Sequence, residues 1–232
     1  MRRCYGPILL SALLVSTLGA SGVSAQMQIT VGVRAGVNIA NSSYTSTMSG
    51  VSESARTGLA VGGVVALRLS ENLCVRTEPM YVQNGATMTM EGVGFRYTET
   101  FKLEYLELPV HFVIDFGDGA VKPYLFGGPN FGILITATLE EDIPPPVIPE
   151  PEIRVSGTRD IKDQFSSNNF AIDLGAGVAY DVTLQMRLLV DVRYSLGLIN
   201  NATAPDPRDQ SFQAESWKSR DVKILVGVMF AL

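Results

Sequence analysis

Between Val222 and Phe230 every second residue is apolar. Val222, Ile224, Val226, Val228 and Phe230 share one face of an extended chain, while Lys223, Leu225, Gly227 and Met229, preceded by Asp221, share the other. Successive side chains of a strand point to opposite faces, so the segment reads as a β-strand with one oily face and one mixed, partly charged face. A single such strand fits any half-buried sheet. The constraint comes from recurrence: about eight segments show the same split, with arginines and carboxylates set opposite the oily row. A water-soluble sheet buries its oily face and wets the other, whereas charge repeated on the inner face predicts strands whose apolar side meets hydrocarbon. The expected fold is all-β, an eight-stranded antiparallel up-and-down transmembrane β-barrel with a filled, charged interior.

The start of the chain agrees with an envelope address. Arg2 and Arg3 precede an apolar run from Ile8 to Leu18, and Gly22, Val23, Ser24 and Ala25 follow. This is the order of a secretory signal peptide over residues 1–25, with cleavage expected between Ala25 and Gln26 and the barrel domain over residues 26–232. The run is too short to span a bilayer, and no later stretch reaches the roughly 20 apolar residues a spanning helix needs. Mean hydropathy is nevertheless +0.20 with 46% hydrophobic residues, so any membrane residence has to come from strands.

Charge and cysteine usage narrow the function classes. Removing Arg2 and Arg3 from 18 basic residues leaves 16 against 23 acidic ones, a net charge of −7. That sign argues against nucleic acid as a partner, which needs clustered Lys and Arg. Cys4 leaves with the signal and Cys74 remains alone, so neither an internal disulfide nor a zinc spacing is available, and no cofactor or metal is expected.

Ile29 to Ala40 alternates cleanly, followed by a polar loop from Asn41 to Arg56. Leu59 to Leu69 gives a second oily row, and after a tight turn Leu73 to Tyr81 gives a third. Asn84 to Gly94 reads as a long loop or hairpin end. In the fourth strand Phe101, Leu103 and Tyr105 are apolar, but from Leu106 onward the apolar set is Leu106, Leu108, Val110, Phe112 and Ile114. A one-residue slip would turn every later side chain over, so a β-bulge near Tyr105 and Leu106 is expected to restore the oily face to lipid. Val121 to Thr138 is the fifth strand, with Lys122, Asn130 and Thr136 inward. The stretch Glu140 to Arg159, which holds five prolines, is expected to be an extended loop. Phe170 to Tyr180 and Leu184 to Leu198 are the sixth and seventh strands, and Asn200 to Glu215 is a further loop. Long and short connections alternate, which places the long loops at one rim and the tight turns, with both chain ends, at the other, periplasmic rim.

The inward set then reads Arg34, Arg68, Arg76, Lys102, Lys122, Arg187, Arg193 and Lys223 against Glu78, Glu104, Glu107, Asp173, Asp191 and Asp221. Buried charges are tolerable when paired and hydrogen-bonded, and an eight-stranded barrel is just wide enough for side chains to fill it. A salt-bridge network that plugs the lumen is therefore expected in preference to an ion or solute path. His111, the single histidine, stands apart from any Ser and acid at one rim, so it reads as a structural or interfacial residue. The acidic residues Glu140, Glu141, Asp142, Glu150 and Glu152 lack the glycine and spacing of a calcium loop and read as a solvated face. The tyrosines and Trp217 fit either interfacial girdles or core packing.

Five stretches carry a likeness: Gly32 to Asn38, Arg76 to Tyr81, Tyr105 to Pro109, Lys122 to Pro129 and Arg193 to Leu198. In this collinear order the chain resembles the porin-like outer-membrane β-barrel domain family that includes PorT-type proteins. The resemblance covers about Ile29 to Phe230 and implies eight antiparallel strands and an outer-membrane address more than any activity. The function expected is that of a non-enzymatic integral barrel whose long loops contact a surface or periplasmic protein or stabilise the envelope, with outer-membrane lipid as its constant neighbour. A narrow channel or a component of a transport or secretion system is the alternative. A soluble ligand-binding barrel such as a lipocalin is opposed by Arg187, Asp191 and Arg193 behind the oiliest row. Oligomeric state has no signature in the sequence.

Overall fold

The computed structural model describes residues 28–44, 51–92, 95–143, 155–201 and 217–232. The signal segment, the prolines at 144–151 and the loop at 202–216 lie outside them. The described strands are β1 (Ile29–Tyr44), β2 (Val51–Arg68), β3 (Leu73–Thr77), β4 (Met80–Gly92), β5 (Phe95–Asp115), β6 (Val121–Ile143), β7 (Val155–Asp160), β8 (Asn168–Asp181), β9 (Met186–Gly197) and β10 (Trp217–Ala231). All pair antiparallel in one sheet, which closes where β1 meets β10.

The ten strands make eight staves. β3 and β4 both lie between β2 and β5 and keep one register across the break at Glu78 and Pro79. The break exists because Pro79 has no N–H to give the ladder; its carbonyl still accepts from the Gly63 N–H at 3.0 Å. β7 and β8 likewise both follow β6, separated by a short 3-10 turn at Lys162–Gln164.

Following paired residues once round the ring leads from Ile29 through Leu67, Val75, Phe112, Gly127, Leu174, Tyr194 and Val222 back to β1 at Ile39, ten residues further along. That stagger is what tilts strands in a closed barrel, typically by roughly 35–45°. Closure leaves no sheet edge in the lipid, which is the condition for strands to cross a membrane at all.

The outer surface carries an apolar belt. Val33, Phe112, Leu125, Phe131, Leu174, Val190 and Val226 are all more than half exposed. Tyr180 and Tyr194 join them on that face, whereas Tyr105, Tyr124 and Trp217 are buried inside, so the aromatics divide between the two expected roles.

Several loop expectations are corrected. β1 continues to Tyr44 and β2 begins at Val51, so much of 41–56 is strand; β4 and β5 extend to Gly92 and from Phe95; β6 runs to Ile143 and β7 occupies 155–160. These arms lie beyond the belt. Their Ser- and Thr-rich composition looks like loop, yet each pairs with a neighbouring strand, 41–44 with β10, 51–55 with β4, 84–92 with β5 and 138–143 with β7, and these ladders override weak local preference.

The expected bulge is also elsewhere. β5 keeps a single phase from Phe101 to Asp115, with every odd residue buried. The register slips by one in β6 instead, between the pairs Glu104↔Thr136 and Tyr105↔Leu134. Thr136 therefore shares the outer face with Glu104 and does not point inward. A second slip lies in β2 between Ala55 and Ala60, opposite Gly85, whose φ of 139° suits glycine.

Candidate functional site

The lumen is built in layers, and the middle layer is ionic. Alternation turns Arg34 of β1, Arg76 of β3, Asp173 of β8 and Asp191 and Arg193 of β9 inward, with Glu78 from the break between β3 and β4, all of them buried. Arg34 bridges Glu78 at 2.7 Å and Asp191 at 2.6 Å. Arg193 reaches the other oxygen of Glu78 at 2.5 Å, and Arg76 Nε lies 2.7 Å from Glu78 Oε1. Glu78 thus gathers three guanidiniums, which it can do because a carboxylate has about four lone-pair sites.

Asp191 takes Arg34, a longer contact from Arg76 at 3.4 Å, and the Tyr124 hydroxyl, which donates at 2.7 Å. The faces of Tyr124 and Phe126 carry the Arg76 guanidinium at 5.3 and 4.8 Å from their centroids. Room for those rings comes from Gly175 and Gly177 on β8: a Cβ there would stand 2.2 Å from Phe126 Cζ and 2.5 Å from Tyr124 Cζ. The two glycines are inner-face gaps filled by a neighbour's aromatic ring.

Toward the long loops the network continues through Asp173, which contacts His111 Nε2 at 3.1 Å and Arg193 at 3.7 Å. Asn130 donates to Glu107 at 2.8 Å, and Lys223 lies 3.2 Å from Glu107 and 4.0 Å from Asp221 while donating to Ser195 Oγ at 3.1 Å. Removing one partner from a buried pair of this kind costs roughly 3–5 kcal/mol, because an uncompensated charge is left behind.

Above this layer the interior becomes apolar. Phe101, Leu103 and Tyr105 of β5, Leu134, Ala137 and Leu139 of β6, and Ala86 and Met88 of β4 form one buried cluster with Ile161, Phe165 and Trp217. The 3-10 turn between β7 and β8 delivers Ile161 and Phe165 over the lumen. Trp217 closes it, 5.3 Å from the Phe101 ring and 5.5 Å from Phe165 in an edge-on contact.

At the short-turn end, Arg68, Lys122 and Arg187 point inward but are part-exposed, paired with Asp115 and Asp181. Two members of the expected inward set are misplaced: Lys102 and Glu104 lie on the outer face of β5, where Lys102 pairs with Glu140. They belong to the part of the strand beyond the belt, where the outside is water and charge is cheapest there. The remaining members of that set face inward.

Asn130 is buried inward as expected of the fifth strand. His111, Tyr124 and Asp115 were not in the inward set, although the single phase of β5 places His111 and Asp115 on the face of Glu107. Counting the odd positions back from Asp115 would have found both. Among the described residues no group of His, Cys, Asp and Glu side chains is arranged to hold a metal.

Comparison with known proteins places this architecture. Residues 24–203 match the family model described as outer membrane protein beta-barrel domain. Neisserial surface protein A is similar at 15% identity, with 86% of this chain and 96% of that chain covered and a TM-score of 0.45. The outer membrane protein OprG of Pseudomonas aeruginosa is similar at 12% identity over 88% and 96%, with a TM-score of 0.44. The attachment invasion locus protein Ail of Yersinia pestis, solved with the heparin analogue sucrose octasulfate, is similar at 11% identity over 88% and 100%, with a TM-score of 0.40. No curated protein matches the sequence. The family match spans well over half of the chain, so this protein belongs to the outer membrane β-barrel domain family and resides in the cell outer membrane.

Proposed function

We propose that the protein is a non-enzymatic outer-membrane barrel with a closed lumen, whose work is done at its ends. The observation that carries this reading is the double filling of the interior, an ion-paired layer around Glu78 beneath an aromatic cap around Trp217. A path for solute would have to part both. The hairpins β1–β2, β4–β5 and β6–β7 rise beyond the apolar belt, and in this reading they project outside the cell and present a partner surface, with the tight turns in the periplasm.

Planar-bilayer recording of the detergent-folded protein tests the closed lumen, and conductance no higher than that of a protein-free bilayer is expected. Reproducible unitary currents would overturn it and favour the channel reading. Deleting residues 144–154, which join β6 to β7, tests the surface role. The shortened protein should keep its folded, heat-modifiable gel mobility, and the cells producing it should lose surface adhesion. Unchanged adhesion after deletion of this loop and of 202–216 would remove the case for a loop-borne partner.

A further inference from the structure

The two ends of the lumen are finished differently. The long-loop end is stoppered by apolar side chains, but at the short-turn end the barrel opens into a cavity of about 550 Å³. That volume lies within the roughly 300–1,000 Å³ of typical small-molecule sites. Its deeper wall is apolar, made by Ala66, Val113, Leu189 and Met229, with the Cys74 side chain beside them.

Its mouth is charged, and the charges do not balance. Three cations, Arg68, Lys122 and Arg187, share two carboxylates. Arg187 holds Asp181 through two nitrogens at 2.5 and 3.2 Å, and Lys122 shares that carboxylate at 3.0 Å. Arg68 and Arg187 then converge on one oxygen of Asp115, each at a long 3.3 Å. Two guanidiniums meeting at a single oxygen are under-neutralised: Arg187 spends three of its five N–H groups on Asp181 and Asp115, Arg68 Nη1 also donates to the Glu71 carbonyl at 2.7 Å, and each guanidinium keeps further N–H groups. Arg76 at the inner end adds no free charge, because Glu78 and Asp191 already hold it.

We propose that this vestibule binds a small amphiphilic anion, an alkyl or aryl carboxylate or phosphate. Its apolar part lies against Ala66, Val113, Leu189 and Met229, and its charge sits between Arg68, Arg187 and Lys122. One remaining N–H from each guanidinium gives a carboxylate or phosphate two points of contact, and the Lys122 ammonium lies at the same mouth. The free anion and the headgroup of a lipid share this chemistry. The inference does not depend on the surface-loop reading, since it concerns the opposite end of the molecule.

Cys74 provides the test. In the full chain carrying Cys4→Ser it is the sole thiol, and it lines the cavity. The protein is extracted from membranes into a non-ionic detergent, and the alkylation rate of Cys74 by N-ethylmaleimide is measured with octyl phosphate, octyltrimethylammonium or octanol added. Octyl phosphate is expected to slow labelling about tenfold at concentrations near ten times its Kd, as simple site occupancy requires. The cation and the alcohol should leave the rate unchanged. In Arg68→Gln/Arg187→Gln the protection by octyl phosphate should disappear.

Equal slowing by all three amphiphiles would show partitioning without charge recognition and overturn the proposal, as would no slowing by any, or protection that persists in the double variant. Should the double variant lose its folded gel mobility, the comparison of the three amphiphiles on the unaltered arginines still decides. Repeating it with diheptanoyl phosphatidylglycerol separates a lipid headgroup from a free anion: protection by that lipid as strong as by octyl phosphate supports a lipid ligand, and protection by octyl phosphate alone supports a free one.

Discussion

Below the level of Tyr105 the lumen is held by ion pairs; above it, by aromatic and aliphatic side chains. The same strand serves both regions without a change of phase. β5 points Phe101, Leu103 and Tyr105 inward and Lys102 and Glu104 outward, then Glu107, His111 and Asp115 inward and Leu106, Leu108 and Phe112 outward. What changes along β5 is the solvent outside. Within the apolar belt the barrel is surrounded by hydrocarbon, so the outer face is oily and polar groups collect inside. Beyond it the staves stand in water, and the ordinary rule of a buried oily face returns. An inversion of polarity at fixed phase thus marks where a strand leaves the membrane.

The sharpest way to break this comparison is to strike the ionic layer at its centre. Glu78→Ala leaves Arg34, Arg76 and Arg193 without their shared partner and is expected to cost about 3–5 kcal/mol, read as a lower urea midpoint for unfolding from lipid vesicles. A loss below about 1 kcal/mol would mean that the layer is not held by pairing. Trp217→Ala strikes the cap. It should cost about 3 kcal/mol in the same measurement, toward the low end for a buried tryptophan because the cap borders water. Bilayer conductance should stay at background, since the ionic layer beneath still blocks the lumen. Currents in this variant would assign the seal to the cap alone.

Gly175→Ala tests the gaps that admit the Phe126 and Tyr124 rings. Its added methyl meets the Phe126 ring and the Val192 carbonyl, and about 1–3 kcal/mol of overpacking is expected. Near-neutral behaviour would show that the rings beside Arg76 are loosely held.

Smaller effects belong to the arms in water. Lys102→Ala removes an exposed pair with Glu140 and should change stability by less than about 1 kcal/mol, where a buried inward lysine would cost several times more. The smallest effect concerns Glu99, on the β5 arm beyond the belt. Burial raises its carboxyl above the ordinary value and Glu141 across the ladder adds to this, while a hydrogen bond from Tyr97 opposes it. A carboxyl raised in the folded state binds its proton more tightly there, so the arm loses stability as pH rises from the ordinary carboxylate value through the raised one. Amide exchange of the β5–β6 arm should quicken across that window, and Glu99→Gln should flatten the response.

Much of this was legible without coordinates. The alternation from Val222 to Phe230, and the arginines behind the oily rows, are enough for a closed barrel in lipid with charge inside, because only pairing in a sealed ring satisfies both backbone and side chains there. His111 was set apart because no Ser and acid shared its rim, although the phase read from Leu106 onward already puts it on the face of Glu107. Lys102 and Glu104 were misassigned because of the bulge assumed at Tyr105: a pattern of period two cannot say whether the strand has turned over or its surroundings have changed.

The sequence by itself determined which faces of which segments are oily and which charged, since that follows from residue order and a two-residue repeat. Only the tertiary structure decided which carboxylate meets which guanidinium, where the slip in β6 falls, and that a short turn carries Phe165 over the lumen. Those depend on the ten-residue stagger of the ring, which brings together side chains from strands far apart in the chain, as Arg34 and Asp191 are.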